Sequence, residues 1–462
     1  MAGLTKWQPL PEKCRTRPPK TIHDVMSRKN ELTRVTDTCG GDFRSRPGGI
    51  LATTCYIFPF NRPSQRFDWR KMLDDDSLLH AFMKPVFASI LLLCLSDVAI
   101  SFMTSKERQP SSKTTLNNSR IEPKFTVGVI ADIQYAPIPD GTSYIGIPRF
   151  YQHALVGARI AADYFQSQKV SLVLNLGDTI DGKCQMIEQE GGQPLDNDPG
   201  VECLGHVLEA LSPYQHGPML HTYGNHELYN LNREQIGTMM GIPFVVEDED
   251  ELVGYQSYSH NGIRFIILDT MDISFMRPEG SRKRRLADAI LTKENPNFPK
   301  VENSPQGLEG LQKRFVAFNG AVDEPQMSWL RTTLQEARDD HEKVVLLSHH
   351  PILPDSSSPQ TLVWNYENVL DVLRDFSDVV VLSLAGHAHK GGYKRDDQSG
   401  IHFRIVEAVL ETPSPDATYC ILEIFDDKIH LQGYGACRSE TYDFEHCTKA
   451  AATTHFPTAS KL

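Results

Sequence analysis

The sequence predicts an α/β domain, and three observations carry that expectation. From Phe125 onward, short runs rich in Val, Ile and Leu alternate with longer stretches whose apolar residues recur at helical spacing. Several of the short runs end in Asp, Asn or His, and open α/β sheets build their sites at the carboxyl ends of strands. Before Phe125 neither pattern is sustained. The chain therefore divides into a basic extension of low order (1–124), a domain (125–440) and a tail (441–462).

Charge sharpens this division. Residues 1–124 hold 20 Lys or Arg against 12 Asp or Glu, so the formal net charge of -12 hides a strongly acidic remainder. An acidic body is a poor host for polyanions unless bound cations supply positive charge locally, which disfavours nucleic acid as a partner. Nine cysteines, odd in number and never in a Cys-x-x-Cys pair, argue against a disulfide framework and a cysteine zinc site. A reducing, cytoplasmic compartment is the simpler expectation.

Within the extension, Pro, Arg, Ser and Thr are spread throughout and predict disorder. Its exception is an apolar stretch within 83–104, centred on residues 85–96. Those twelve residues fall short of the roughly 20 that a spanning helix needs, so a buried or amphipathic segment and a membrane anchor or secretion signal both stay open.

The domain begins with a strand over 125–131, a helix over 148–168 and a strand over 170–176, which together make a β-α-β unit. Strands follow at 219–223 and 265–268. Asp323, Glu324 and Pro325 open a helix that runs to 341. A strand at 344–347, a helix at 361–376 and a strand at 379–384 continue the alternation. The last strands are expected at 402–409, 418–425 and 428–433, the final two joined by an Asp426-Asp427 turn. Two surface insertions interrupt this order: an acidic one at 187–202, and the basic cluster Arg282 to Arg285, read as a solvated helix start or a nuclear-localisation signal.

The strand at 170–176 leads into Gly177, Asp178 and Asp181. Glycine there lets the backbone turn sharply and lets another group approach, so Asp178 can face a ligand shared with other strands. Four further strand ends carry ligand-type residues: Asp132 and Gln134, Asn225 to Glu227, His349 and His350, and His387 and His389. Any one of them is ordinary cap or turn chemistry. Together on one sheet edge they match one requirement: a carboxylate able to bridge two divalent ions, with neutral imidazole and oxygen donors around it. Phosphoester hydrolysis is the chemistry that such a pair performs.

Taken in order, Asp132-x-Gln134, Gly177-Asp178-x-x-Asp181, Gly224-Asn225-His226-Glu227, His349-His350-Pro351 and Gly386-His387-x-His389 resemble the signature of the calcineurin-like metallophosphoesterases. Within that family, the stretches at 129–134, 177–182, 303–307, 318–320, 364–366 and 386–393 are similar to those of its manganese-dependent ADP-ribose/CDP-alcohol diphosphatases. The likeness covers about 125–435. It implies a four-layer α/β/β/α sandwich and two divalent ions, Mn²⁺ foremost, with Mg²⁺ or Zn²⁺ as alternatives. It implies Asp132, Gln134, Asp178 and His389 around one ion, and Asp178, Asn225, His349 and His387 around the other. It also makes His226 the catalytic acid. Glu227, next in sequence, is expected to orient that imidazole, because a catalytic histidine needs a partner on its other nitrogen, and Asp181 and His350 are expected behind the ligands. The amide oxygen of Gln134, a harder donor than imidazole, favours Mn²⁺ or Mg²⁺. Asp181 stands where purple acid phosphatases carry a tyrosine, which argues against a ferric site. Expected substrates are small nucleoside diphosphates, handled by a monomer. The alternatives are another phosphodiesterase or phosphatase of this family, acting on cyclic nucleotides or phosphoproteins, and a metal-free scaffold on the same fold.

Overall fold

In chain order, β1 (Phe125–Ile130) leads into a small hairpin, β2 (Gly141–Thr142) and β3 (Pro148–Arg149), and then α1 (Tyr151–Gln168). Next come β4 (Leu172–Asn175), α2 (Pro199–Leu211), β5 (Met219–His221), α3 (Asn225–Asn230) and α4 (Arg233–Met240). A hairpin of β6 (Val245–Val246) and β7 (Leu252–Val253) precedes β8 (Gln256–His260), β9 (Ile263–Ile267), β10 (Ile273–Ser274) and α5 (Arg282–Glu294). Then follow β11 (Gly320–Ala321), α6 (Glu324–Asp339), β12 (Lys343–Ser348), α7 (Tyr366–Asp375) and β13 (Val380–Ala385). The chain ends in β14 (Gly392–Arg395), β15 (His402–Ile405), β16 (Tyr419–Ile424), β17 (Lys428–Tyr434) and β18 (Glu440–Asp443). This computed structural model describes residues 122–247 and 251–447; the apolar stretch at 83–104 lies outside them.

Two six-stranded sheets result, ordered β18-β17-β16-β1-β4-β5 and β14-β15-β13-β12-β9-β8. β1, β4 and β5 are parallel in the first, and β9, β12, β13 and β15 in the second. Alternation along β1 shows why four layers form, because successive side chains leave a strand on opposite faces. Val127 and Val129 enter the apolar layer between the sheets, while Ile130 enters the layer beneath α1. Gly128 faces the same way as Ile130, and a Cβ there would lie 2.8 Å from the Phe165 ring. β12 divides likewise: Val345 and Leu347 point between the sheets, Val344 and Leu346 toward α6 and α7. Strands buried on both faces are what continuous apolar runs encode.

Several boundaries differ from the expectation. The first helix starts at Tyr151 because Pro148 and Arg149 pair with the Gly141–Thr142 strand. The expected helix over 361–376 begins at Tyr366, after a short turn at Pro359–Thr361. The acidic stretch at 187–202 is only partly an insertion, since Asp198 caps α2 with Pro199 in the first turn. Ser281 caps α5 as a helix start should be capped and Arg285 is exposed, but Lys283 is fully buried, so this turn is solvated only in part. β18 spans the 440/441 line and pairs antiparallel with β17.

Candidate metal centre

The parallel strands of both sheets end along one edge, and the residues just beyond them meet there. Asp132 and Gln134 follow β1, Asp178 follows β4, Asn225 opens α3 after β5, and His349 and His387 follow β12 and β13. Asp132, Gln134, Asp178 and His387 have φ of 50°, 46°, 53° and 63°, four left-handed conformations among non-glycine residues. Such conformations cost of order 1–3 kcal/mol each and persist where the surroundings over-determine them. Here crowding supplies the constraint: a Cβ on Gly224 would lie 2.2 Å from Asp178 Oδ1, and one on Gly386 2.7 Å from Asp132 Oδ2. Gly177 (φ 89°) packs its backbone against His349 and Gly224, as the close approach read from the sequence requires.

Donor atoms of Asp132, Asp178 and His349 lie within 4.8 Å of one another and are buried. Asp178 Oδ2 is 2.9 Å from Gln134 Nε2 and 3.3 Å from His349 Nε2. His349 Nε2 is also 3.2 Å from Asn225 Oδ1, and His389 Nε2 is 2.9 Å from Gln134 Nε2 and 3.6 Å from Asp132 Oδ1. Burial works to raise both carboxyls. Asp132 is pushed up to about 6, whereas the imidazoles of His349 and His226 outweigh burial at Asp178 and hold it below the usual carboxylate range.

Whether this set suits divalent cations can be read from the outward side of each ring. His349 Nδ1 donates to the Leu176 carbonyl (2.8 Å), His389 Nδ1 to Glu411 (3.0 Å), and His387 Nε2 to Asn319 Oδ1 (3.1 Å). Asn319 has no freedom to turn, because its Nδ2 donates to the Arg314 and Gln360 carbonyls. Each ring thereby turns its other nitrogen toward the cluster, the arrangement that a metal-ligating histidine needs. Burial disfavours the imidazolium at His349, but in the metal-free chain Asp178 outweighs it and pushes that ring up to about 9. Gln134 Oε1 is buried without a hydrogen-bond partner. The donor chemistry fits two hard or borderline divalent ions.

His226 borders this set without joining it. Its Nε2 is 3.9 Å from Asp178 Oδ2, and its Nδ1 is 2.8 Å from the Gly182 amide and 3.3 Å from Asp181 Oδ2. The Gly182 N–H favours the neutral ring. Burial also opposes the cation, but Asp178 and Asp181 together outweigh it and push the ring up to about 9. Glu227 does not orient this imidazole, contrary to expectation. Its carboxylate accepts from the backbone N–H groups of Asp178 (3.1 Å), Thr179 and Gly224 (3.1 Å), tying the two ligand loops together. The Gly182 amide fixes the ring instead, with Asp181 Oδ2 beside it, itself without a hydrogen-bond partner among the described residues. His350 is packed: Nδ1 accepts from Thr270 and Nε2 donates to the Phe318 carbonyl, and burial holds the ring down at about 3.

A cavity of about 560 Å³ opens over the cluster. Gln134, Asp178, Asn225, His226, His387 and His389 form its floor, and its walls include Arg149, Tyr229, Phe318, Gln360, Lys390 and Glu411. Tyr144 stands at the mouth, 86% exposed. Sequence reasoning gave none of these wall residues a role, although Phe318 and Lys390 fall in the family-like stretches at 318–320 and 386–393. Glu411 lies beyond β15, between the strands expected at 402–409 and 418–425, and Asn319 sits between elements, so neither carried a strand-end signal.

Residues 125–391 match the profile of the family described as Calcineurin-like phosphoesterase. A protein of Oryza sativa subsp. japonica named manganese-dependent ADP-ribose/CDP-alcohol diphosphatase is 37% identical over 321 residues, covering 69% of this chain and 94% of its own. The Homo sapiens protein of that name is 33% identical over 325 residues, covering 67% and 90%. Among solved structures, a dimetal phosphatase from Danio rerio superposes with a TM-score of 0.64 at 31% identity, covering 70% of this chain and 100% of its own.

Proposed function

The chain belongs to the calcineurin-like phosphoesterases, and from that premise we propose that it hydrolyses the diphosphate bond of ADP-ribose and of CDP-alcohols such as CDP-choline and CDP-glycerol, with Mn²⁺ as its working cation. ADP-ribose yields AMP and ribose 5-phosphate; a CDP-alcohol yields CMP and the phospho-alcohol. The observation that most supports this reading is Asp178 itself, buried between Gln134 and His389 on one side and Asn225 and His349 on the other. Asp132, Gln134, Asp178 and His389 would hold one cation, and Asp178, Asn225, His349 and His387 the second. Divalent cations so held polarise phosphoryl oxygens and lower the pKa of water.

The protein's own groups do the rest. The Gly182 amide, with Asp181 beside it, fixes the His226 ring from its Nδ1 side, leaving Nε2 toward the cavity. As water adds to one phosphorus and the bridging P–O bond breaks, His226 protonates the departing phosphate and recovers the proton that the water loses. Phe318 and Gln360 wall the cavity, and Arg149 and Lys390 add positive charge for an anionic substrate. The catalytic unit begins near residue 125 and includes β18, past the boundary expected at 440. The free thiols of Cys184, Cys203, Cys420, Cys437 and Cys447 support a reducing, cytoplasmic setting, and a monomer is the state we propose. Among the described residues, no helix is long and apolar enough to cross a membrane.

The test is a hydrolysis panel of ADP-ribose, CDP-choline, CDP-glycerol, a cyclic nucleotide and bis(p-nitrophenyl) phosphate, each with Mn²⁺ and with Mg²⁺. Fastest turnover is expected on the diphosphates with Mn²⁺, with AMP or CMP as product. Turnover confined to the cyclic nucleotide or the aryl diester would replace the diphosphatase reading with the phosphodiesterase one. No turnover with either ion would leave the scaffold.

A further inference from the structure

The three inward-facing imidazoles differ in what stands behind them. His349 donates to a backbone carbonyl and His387 to a side-chain amide, both neutral, whereas His389 donates to the carboxylate of Glu411. We propose that Glu411 is a positioning residue for the cation place formed by Asp132, Gln134 and His389, and that it makes this place the tighter of the two. This rests on the reading of these residues as cation ligands.

A carboxylate behind an imidazole fixes its tautomer and orientation and raises the basicity of the lone pair on the other nitrogen. A carbonyl or amide oxygen fixes the ring but adds less charge. Geometry holds Glu411 to this task more firmly than a loop residue usually is. Along its segment, Ala408 N–H donates to the His389 carbonyl (3.0 Å), Val409 N–H to that of Ala131 (3.1 Å) and Leu410 N–H to that of Asp132 (3.2 Å). The backbone that carries Glu411 is thus laced to the two residues, Asp132 and His389, whose side chains form the place it supports. Residues 406–410 are buried, so the segment cannot shift without opening the core. Gln134 Nε2 is 2.9 Å from His389 Nε2, which agrees with a lone pair there and a proton on Nδ1 facing Glu411.

The experiment measures Mn²⁺ binding to the full metal-depleted chain by competition with a fluorescent chelator, independently of turnover. Wild type should bind two ions in separable steps. Glu411→Ala should weaken the tighter step by about 10- to 100-fold and leave the weaker one unchanged. Glu411→Gln, which keeps an oxygen at the same reach without the charge, should recover part of the loss. Asn319→Ala should weaken the other step. Circular dichroism and melting of the metal-free variants keep misfolding distinguishable. Unchanged affinities in a folded Glu411→Ala, or equal weakening of both steps, overturns the proposal. A wild-type chain that takes up no Mn²⁺ refutes the metal reading itself before Glu411 is reached. Binding of two ions without diphosphate turnover leaves Glu411's role standing and sinks only the substrate.

Discussion

Asp178 and His226 sit 3.9 Å apart and are expected to fail in different ways. Asp178 touches both halves of the donor set, so Asp178→Asn should abolish turnover and bound metal together. Elemental analysis that still finds two ions per chain in that variant would end the bridging assignment. His226→Ala should keep both ions and lose about 10²- to 10⁴-fold in kcat on ADP-ribose, the usual worth of a positioned proton donor. On bis(p-nitrophenyl) phosphate the loss should shrink, since nitrophenolate leaves without a proton. Equal losses on both substrates would argue against leaving-group protonation, and loss of an ion would make His226 a ligand.

Between α4, α5 and α6, charge is buried rather than exposed. Arg233 pairs with Asp269, Arg277 with Asp272 (3.2 Å), and Lys283 with Asp272 and Glu247. These residues clamp the turn after β9, where Thr270 holds His350. Removing one partner of a buried pair is costly because it strands the other, typically by about 3–5 kcal/mol. Lys283→Met should therefore lower denaturant stability by about that much, since Asp272 would then face Asp269 with Arg277 alone beside it. A loss near zero would mean that Arg277 compensates. The cluster at Arg282 to Arg285 shows how a basic run can mislead: composition shows the charge, while helix phase decides that Lys283 points inward.

At the scale of the molecule, the acidic domain draws its cations at a cost that the metal-free chain must bear, with several carboxylates buried along one edge. Depleting divalent ions with a chelator should abolish activity and lower the melting temperature, and Mn²⁺ should restore both, because a ligand that binds only the folded state stabilises it by mass action. A melting temperature indifferent to Mn²⁺ would contradict the linkage. A chain beginning near Arg120 should fold and turn over substrate normally, since every candidate ligand lies at or beyond Asp132. Activity lost in a folded truncation would show that residues 1–119 reach the site.

Much of the candidate site was legible because its donor residues follow apolar strands directly. A strand that must be buried on both faces advertises itself, and the residue after it inherits a predictable place at the sheet edge. That is how Asp132, Asp178, Asn225, His349 and His387 could be named from residue order. The expectation for Glu227 failed because adjacency in sequence says nothing of direction. On α3 its side chain turns back to cap the loop of Asp178 and Thr179, while Asp181, from another strand end, reaches the His226 ring. The sequence by itself determined which residue types stand at the strand ends and the alternation that makes four layers. Only the tertiary structure decided which oxygen stands behind each imidazole. Asn319 and Glu411 come from loops 68 and 22 residues away along the chain, and no local periodicity encodes a contact that tertiary packing creates.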